Sequence, residues 1–231
     1  MINNIIDIKN NNKDFPYYNK NPYISKIGWL ILLLSVLISL ICYFVISDYS
    51  EILGSIFFCG IMLIPLLYFS NWNLNLLFNK PTKNELKLAF LMFISYIIYA
   101  LIMYQLLDLF GLTSPSTDLL SVTWESVLGL IFSMMGEELL KFIPLMFLLR
   151  FFYQFSERKD VSLVFASIIV LTTFGLLHYN FQGYLIEPIL IQGFGSIFEL
   201  YGYVKTKNLI VPYLSHLFTD AFIMIIMLLG L

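Results

Sequence analysis

Charge is what this chain has least of. Asp, Glu, Lys and Arg make up 12% of its 231 residues, against about 25% in a soluble domain. With 59% of residues hydrophobic and 17% aromatic, too little polar surface remains to coat a globule in water. A net charge of −2 leaves no basic excess for nucleic acid. Cysteine is nearly absent too. Cys42 and Cys59 both lie in apolar runs and form no CxxC pair, which excludes a disulfide framework or thiolate metal centre and leaves two small buried hydrophobes. Histidine occurs twice, as His178 and His216. The N-terminal stretch MINNIIDIKNNNKDFPYYNKNPYISK has no apolar core followed by small residues, so it is not read as a signal peptide. Its Asn- and Lys-rich composition reads as a flexible cytosolic leader over residues 1–26.

What the chain does have is long hydrophobic runs. About twenty apolar residues cross a bilayer as a helix. That measure predicts an all-α, polytopic transmembrane bundle of about seven spans, with six to eight admissible: 27–47, 52–70, 87–111, 124–150, 161–179, 185–204 and 209–230. The sixth contains Gly193, Gly195 and Gly202 and is the candidate for a broken or interfacial segment. Basic residues sort by connection. Lys9, Lys13, Lys20 and Lys26 precede the first span, Lys80, Lys83 and Lys87 follow the second, Arg150, Arg158 and Lys159 follow the fourth, and Lys205 and Lys207 follow the sixth. The alternate connections carry Asp48, Glu51, Asp108, Asp118, Glu125 and Glu187 and no Lys or Arg. By the positive-inside rule the N-terminus is cytoplasmic. The organisation read from this is a leader (1–26), N-terminal membrane helices (27–123) and a second membrane unit (124–231). No inverted repeat of the transporter kind is visible.

The thirteenth basic residue, Lys141, lies inside the fourth span, with Glu137 and Glu138. A charge at the bilayer centre costs about 2.5–3.5 kcal/mol on insertion scales, so three unpaired charges would cost roughly 7–10 kcal/mol. Lys141 is three residues from Glu138 and four from Glu137, within reach of either on a helix surface, and a self-neutralised structural pair is the plainest reading. Both histidines also fall inside spans, however. Asp220 follows His216 by four residues, on the same helical face, where a carboxylate can accept from the imidazole and fix its tautomer. Acids and imidazoles on three apolar helices point to a water activated by a carboxylate base, to a metal held by His, His and carboxylate, or to a proton or ion pathway. Gln192 and Glu199 in the sixth span either line such a site or serve bundle hydrogen bonding.

Three motifs in order carry a resemblance: Glu137-Glu138, then FGLLH from Phe174 to His178, then HLFTD from His216 to Asp220, the last preceded by GYVKTKNLIVPYLSH over 202–216. Together they resemble the CPBP family of intramembrane proteases, also called the Abi or CAAX-protease family, over residues 124–230. The resemblance implies an endopeptidase of the cell membrane that acts on a membrane-associated peptide or protein. The candidate substrates are a bacteriocin or signalling-peptide leader, or the role is self-immunity. It implies Glu137 as general base, His178 as its helper in holding the water, and His216 and Asp220 on the oxyanion side. Glu138 and Lys141 are implied as supporting residues. The cofactor is either none, the preferred reading, or a divalent metal such as zinc, which would be held by His178, His216 and Glu137. One departure stands out. The family's first motif is usually Glu-Glu-x-x-x-Arg, and here position 142 is Phe with Lys141 one residue early. A catalytically lapsed scaffold or immunity protein is therefore one rival reading, and a proton-coupled transporter is another. Heavy Asn, Ile and Lys usage suggests a bacterial or archaeal cytoplasmic membrane, with lipid and substrate as partners.

Depth is a difficulty. Counted from the nearest basic residue, Glu137, His178 and His216 lie about 20, 28 and 14 Å into the membrane at about 1.5 Å per residue. Either the fourth helix runs on through Phe151–Phe155, or Pro144 kinks it, or the fifth begins near Val164.

Overall fold

Hydroxyl caps open most of the apolar runs, because a helix leaves its first N–H groups without partners. Ser25 accepts from the Gly28 N–H at the start of α1 (Lys26–Ser47), and Ser50 from Leu53 at the start of α2 (Glu51–Phe69). Thr82 and Glu85 form a capping box at α3 (Lys83–Leu109), as do Thr123 and Ser126 at α4 (Trp124–Ser156). Then come α5 (Lys159–Leu177), α6 (Ile197–Thr206) and α7 (Ile210–Leu229). This computed structural model describes residues 13–19, 22–114, 123–181 and 183–229, the side chains of Trp124, Leu228 and Leu229 excepted. Among the described residues it has seven helices and no strand. Five of the helices, α1, α2, α3, α5 and α7, are long and apolar enough to cross a membrane.

The faces are arranged for lipid. On α1 the exposed residues include Leu30, Leu34, Leu37, Ile41 and Phe44, whereas Gly28, Ser35 and Ser39 are buried. Both serines bond the carbonyl three residues back. Without water to drive association, membrane helices pack on small residues and turn large apolar ones outward. At the centre lies α4, in contact with α1, α2, α5 and α7. Its residues Leu139, Ile143, Met146 and Leu149 are all but fully buried.

The sixth predicted span is not one continuous crossing. A single turn, Ile186–Pro188, passes into a π-helical segment, Ile189–Phe194, and then into α6. Close approach of backbones explains the break. A Cβ on Gly175 of α5 would lie 2.6 Å from the Ile189 Cα, and one on Gly193 would lie 2.5 Å from the Leu171 carbonyl oxygen. Tyr99 of α3 pins the same segment by donating to the Leu190 carbonyl at 2.9 Å.

Neither a kink at Pro144 nor a late start of the fifth helix is needed to resolve the depth mismatch. The fourth helix runs unbroken through Pro144 and beyond Arg150 to Ser156, and α5 begins at Lys159. Glu137 is nineteen residues before the end of α4 and His178 nineteen after the start of α5, so the antiparallel pair brings them level. The turn between α6 and α7 is recessed: Leu209 and Leu145 line the same small cavity of about 20 Å³. That leaves the last eleven residues of α4, roughly 16 Å, extending past the turn.

The leader fills the space this creates. Residues 13–19 do not hang free as their composition suggested. Phe15 and Tyr17 are buried, Tyr17 bonds Ser70 Oγ at 2.5 Å, and its ring meets Trp29 and Phe142 edge-on at 6.3 Å. Phe15 packs on Tyr203 with Lys207 Nζ 3.9 Å above its ring, and Lys159 bonds Asp14 at 3.0 Å. The reason is local: Phe-Pro-Tyr-Tyr at 15–18 is an apolar island in a polar stretch. Residues 1–12 of the leader lie outside the described residues.

Candidate active site

The proposed site residues come from four elements. α4 carries Glu137, Glu138 and Lys141, and His178 is the C-cap of α5. Glu199 lies in the first turn of α6, and His216 and Asp220 follow one another on α7. The structure brings six of these seven into one network and leaves Asp220 at its edge.

His216 is the hub. Its Nδ1 lies 2.9 Å from Glu138 Oε1 and 3.9 Å from Glu199 Oε2, and its Nε2 lies 3.5 Å from Glu137 Oε2. His178 Nε2 is 3.9 Å from the same Glu137 oxygen. Lys141 bridges behind them, 2.7 Å from Glu138 Oε1, bonded to Glu199, and with its Nζ 4.6 Å from the Phe174 ring centroid. Glu138, Lys141, Glu199 and His216 are all buried, as a charge network in lipid must be if it is to satisfy itself.

Two ring orientations follow from the partners. A carbonyl only accepts, so His178 donates from Nδ1 to the Phe174 oxygen at 2.9 Å. Glu138 already takes a donor from Lys141 and accepts again from His216 Nδ1. Each neutral ring then presents a bare Nε2 lone pair. Both lone pairs face the Glu137 carboxylate, itself acceptor-only when ionised. Three acceptors at 3.5–3.9 Å repel unless protons or a cation lie between them.

The same arrangement corrects the local reading of Asp220. Among the described residues it makes no hydrogen bond or ion pair within 4.0 Å, and the carboxylate that orients His216 is Glu138. Asp220 instead lines a cavity of about 270 Å³, together with Tyr96, Glu137, His178, Gln192, Ser196 and His216. Gln192, from the π-helical segment, has a buried Oε1 without a partner among the described residues. Sequence reasoning raised Glu199 and Gln192 without placing them. It missed Tyr96 and Ser196, for which an apolar setting gave no signal.

Metal fit divides the cluster in two. Glu138, Glu199 and His216 present ligand atoms within 4.8 Å of one another, but the Lys141 ammonium bonds both carboxylates there and already supplies the cation. Glu137, His178 and His216 have the donor chemistry of an N,N,O set, with each imidazole held at Nδ1 by an acceptor, as metal-binding histidines are, but among the described residues only Glu138, Glu199 and His216 bring their ligand atoms within 4.8 Å of one another.

Comparison with known proteins follows the motifs. Residues 119–222, slightly under half of the chain, match the family model described as type II CAAX prenyl endopeptidase Rce1-like. No curated protein and no solved structure matches the chain. The matched region holds Glu137, His178, Glu199, His216 and Asp220 alike, so the part of this multi-pass helical membrane protein that carries the site is similar to the Rce1-like CAAX-protease (CPBP) family.

Proposed function

We propose that this chain is an intramembrane endopeptidase in which Glu137 activates a water against one peptide bond of a membrane-associated polypeptide. The supporting observation is the convergence of both imidazole Nε2 atoms on the Glu137 carboxylate within 3.5–3.9 Å, which suits a water that donates to Glu137 and to the bare Nε2 of His178, with a proton taken up at His216 Nε2 relieving the third acceptor. Water donates to Glu137 and to His178. Glu137 takes its proton as the water oxygen bonds the carbonyl carbon, and the carbonyl π pair moves onto oxygen. His216, protonated on both nitrogens and braced by Glu138 through Nδ1, donates from Nε2 to that oxygen. Collapse re-forms the carbonyl and breaks the C–N bond, and Glu137 passes its proton to the leaving nitrogen. Asp220, acceptor-only when ionised, receives a substrate N–H on the same side of the cavity.

Lys141 takes the place of the family's usual arginine by reaching both Glu138 and Glu199. The network is thus complete despite the one-residue shift, which favours an active enzyme over a lapsed scaffold. A divalent metal, if bound, would be held by Glu137, His178 and His216 and would supply Lewis acidity to the water. The substrate we favour is a bacteriocin or signal-peptide precursor in a bacterial or archaeal membrane.

The test compares membrane-protein N-termini, by mass spectrometry, in cells expressing the wild type, Glu137→Ala or His216→Ala at matched levels. N-termini found only with the wild type support the protease. Identical sets in all three, with a phenotype retained, would establish a scaffold, and a pH-dependent flux in vesicles lost in both variants would establish transport. Metal analysis of the purified wild type against Glu137→Ala, His178→Ala and His216→Ala separates the two hydrolytic chemistries.

A further inference from the structure

The two ends of the bundle are unequal. At the basic end, Lys159 and Lys207 engage the leader, Arg150 donates to the Ile24 carbonyl at 2.6 Å, and Asn79 and Asn208 bond each other's chain. Phe15, Tyr17, Ile24, Leu77, Tyr203 and Leu209, each 5% exposed or less, close that end beneath Glu138 and Lys141. Among the described residues the other end is open. A second cavity, of about 480 Å³, is lined by Tyr43, Ser47, Asp48, Glu51, Ser55 and Ser133. It shares Met224 and Met227 with the catalytic cavity, so two flexible side chains separate the two spaces.

The site also lies nearer this end. Gly136 backs onto Phe58, seven residues or about 10 Å along α2 from Glu51, whereas the remaining eleven residues to Phe69 span about 16 Å. His178 lies just past the last residue of α5.

We propose, on the protease reading above, that the polypeptide reaches Glu137 from the non-cytoplasmic side, through this vestibule and past Met224 and Met227, as an extended neutral or cationic segment. Sidedness comes from the basic residues, all but Lys141 of which belong to connections at the closed end, the cytoplasmic one by the positive-inside rule. The chemistry of the segment comes from the lining. Among the described residues its ionisable charges are Asp48 and Glu51, with no Lys or Arg, so a free carboxylate is repelled and a basic side chain drawn in.

Thiol labelling tests the route without requiring catalysis. In a Cys42→Ala/Cys59→Ala background, Ser133→Cys reports the vestibule, Ser196→Cys the catalytic cavity and Lys83→Cys the basic end. Ile223→Cys, lining the same catalytic cavity, replaces Ser196→Cys should that variant not fold. Membrane-impermeant cationic methanethiosulfonate applied to intact spheroplasts is expected to modify the vestibule and cavity thiols and to spare Lys83→Cys until the membrane is opened. Adding Met224→Trp and Met227→Trp is expected to abolish labelling of the cavity thiol and to leave Ser133→Cys reactive. An anionic reagent of the same size is expected to react more slowly than the cationic one at Ser133→Cys, and Asp48→Asn/Glu51→Gln is expected to remove the difference. Cavity labelling from the cytoplasmic side alone, or a cavity thiol indifferent to both tryptophans, overturns the route. Equal rates for the two reagents overturn the charge preference. Repeating the labelling with Glu137→Ala keeps the outcomes separate, because the route can stand or fall whether or not the variant has lost cleavage.

Discussion

Replacing Lys141 by Met probes how the charge network is held in lipid. The ammonium sits between Glu138 and Glu199 with side chains 9%, 5% and 2% exposed. Hydrogen bonds between membrane helices are worth about 0.6 kcal/mol on average. If Lys141 acted only as a donor, its loss from Glu199 across the helices and from Glu138 one turn away on α4 would cost roughly 1 kcal/mol. Loss of one partner from a buried ion pair leaves charge uncompensated and costs about 3–5 kcal/mol. Burial decides in favour of the second figure. Glu199→Gln in the same chain removes one of the stranded charges, so the double variant is expected to be more stable than Lys141→Met alone, with a coupling energy of about 1–3 kcal/mol. Reversible unfolding in mixed micelles measures all four corners of the cycle. A single variant within about 0.5 kcal/mol of wild type, or a double variant no better than the sum of the singles, would refute the view that this lysine is the network's counter-ion.

Gly175→Val puts a β-branched side chain where the Ile189 Cα lies 2.6 Å from an ideal Cβ. A loss of about 1–3 kcal/mol is expected in the same unfolding assay, together with displacement of His178 and a fall in cleavage. At the basic end, burial and then the neighbouring Lys159 hold the Lys207 ammonium down at about 8. The unfolded chain therefore binds the extra proton between about pH 8 and the ordinary lysine value, and docking of the leader is expected to tighten as pH rises through that window. Lys207→Met should flatten the dependence, read by Trp29 fluorescence or by protection of the leader from protease. Burial pushes the Asp14 carboxyl up, but bonds from Tyr18 and Lys159 outweigh it and hold the group below its ordinary value. Its contribution is present above that value and lost as pH falls through the folded one, so Asp14→Asn should remove an acid-side loosening of the leader in the same readouts. Tyr17→Ala removes a fully buried ring and its bond to Ser70. It is expected to cost about 3–5 kcal/mol and to admit labelling reagent to Ser196→Cys from the basic end.

Much of this was visible in the sequence, for physical reasons. Charge is so costly in lipid that Glu137, Glu138, Lys141 and both histidines stood out against their apolar runs, and the sorting of basic residues fixed which helix ends lie together. Three things were hidden. Asp220 is one turn from His216 along the chain, yet Glu138, 78 residues away, takes the ring, because packing of α4 on α7 outcompetes local spacing. Glu199 joins Lys141 across 58 residues, a contact that depends on the broken segment before α6 re-entering at the Gly175–Gly193 crossing. The leader read as free because Asn and Lys dominate its composition, and four residues of Phe-Pro-Tyr-Tyr decide where it goes.

The most direct measurement is the rate at which vesicle-reconstituted Glu137→Gln cleaves a peptide that the wild type is found to process. The substitution keeps size and loses the base. Unchanged folding is expected, with a fall of about 10²–10⁴-fold in the cleavage step, some 2.7–5.4 kcal/mol in barrier. A Glu137→Gln enzyme as fast as the wild type, in the same vesicles and on the same bond, would contradict it.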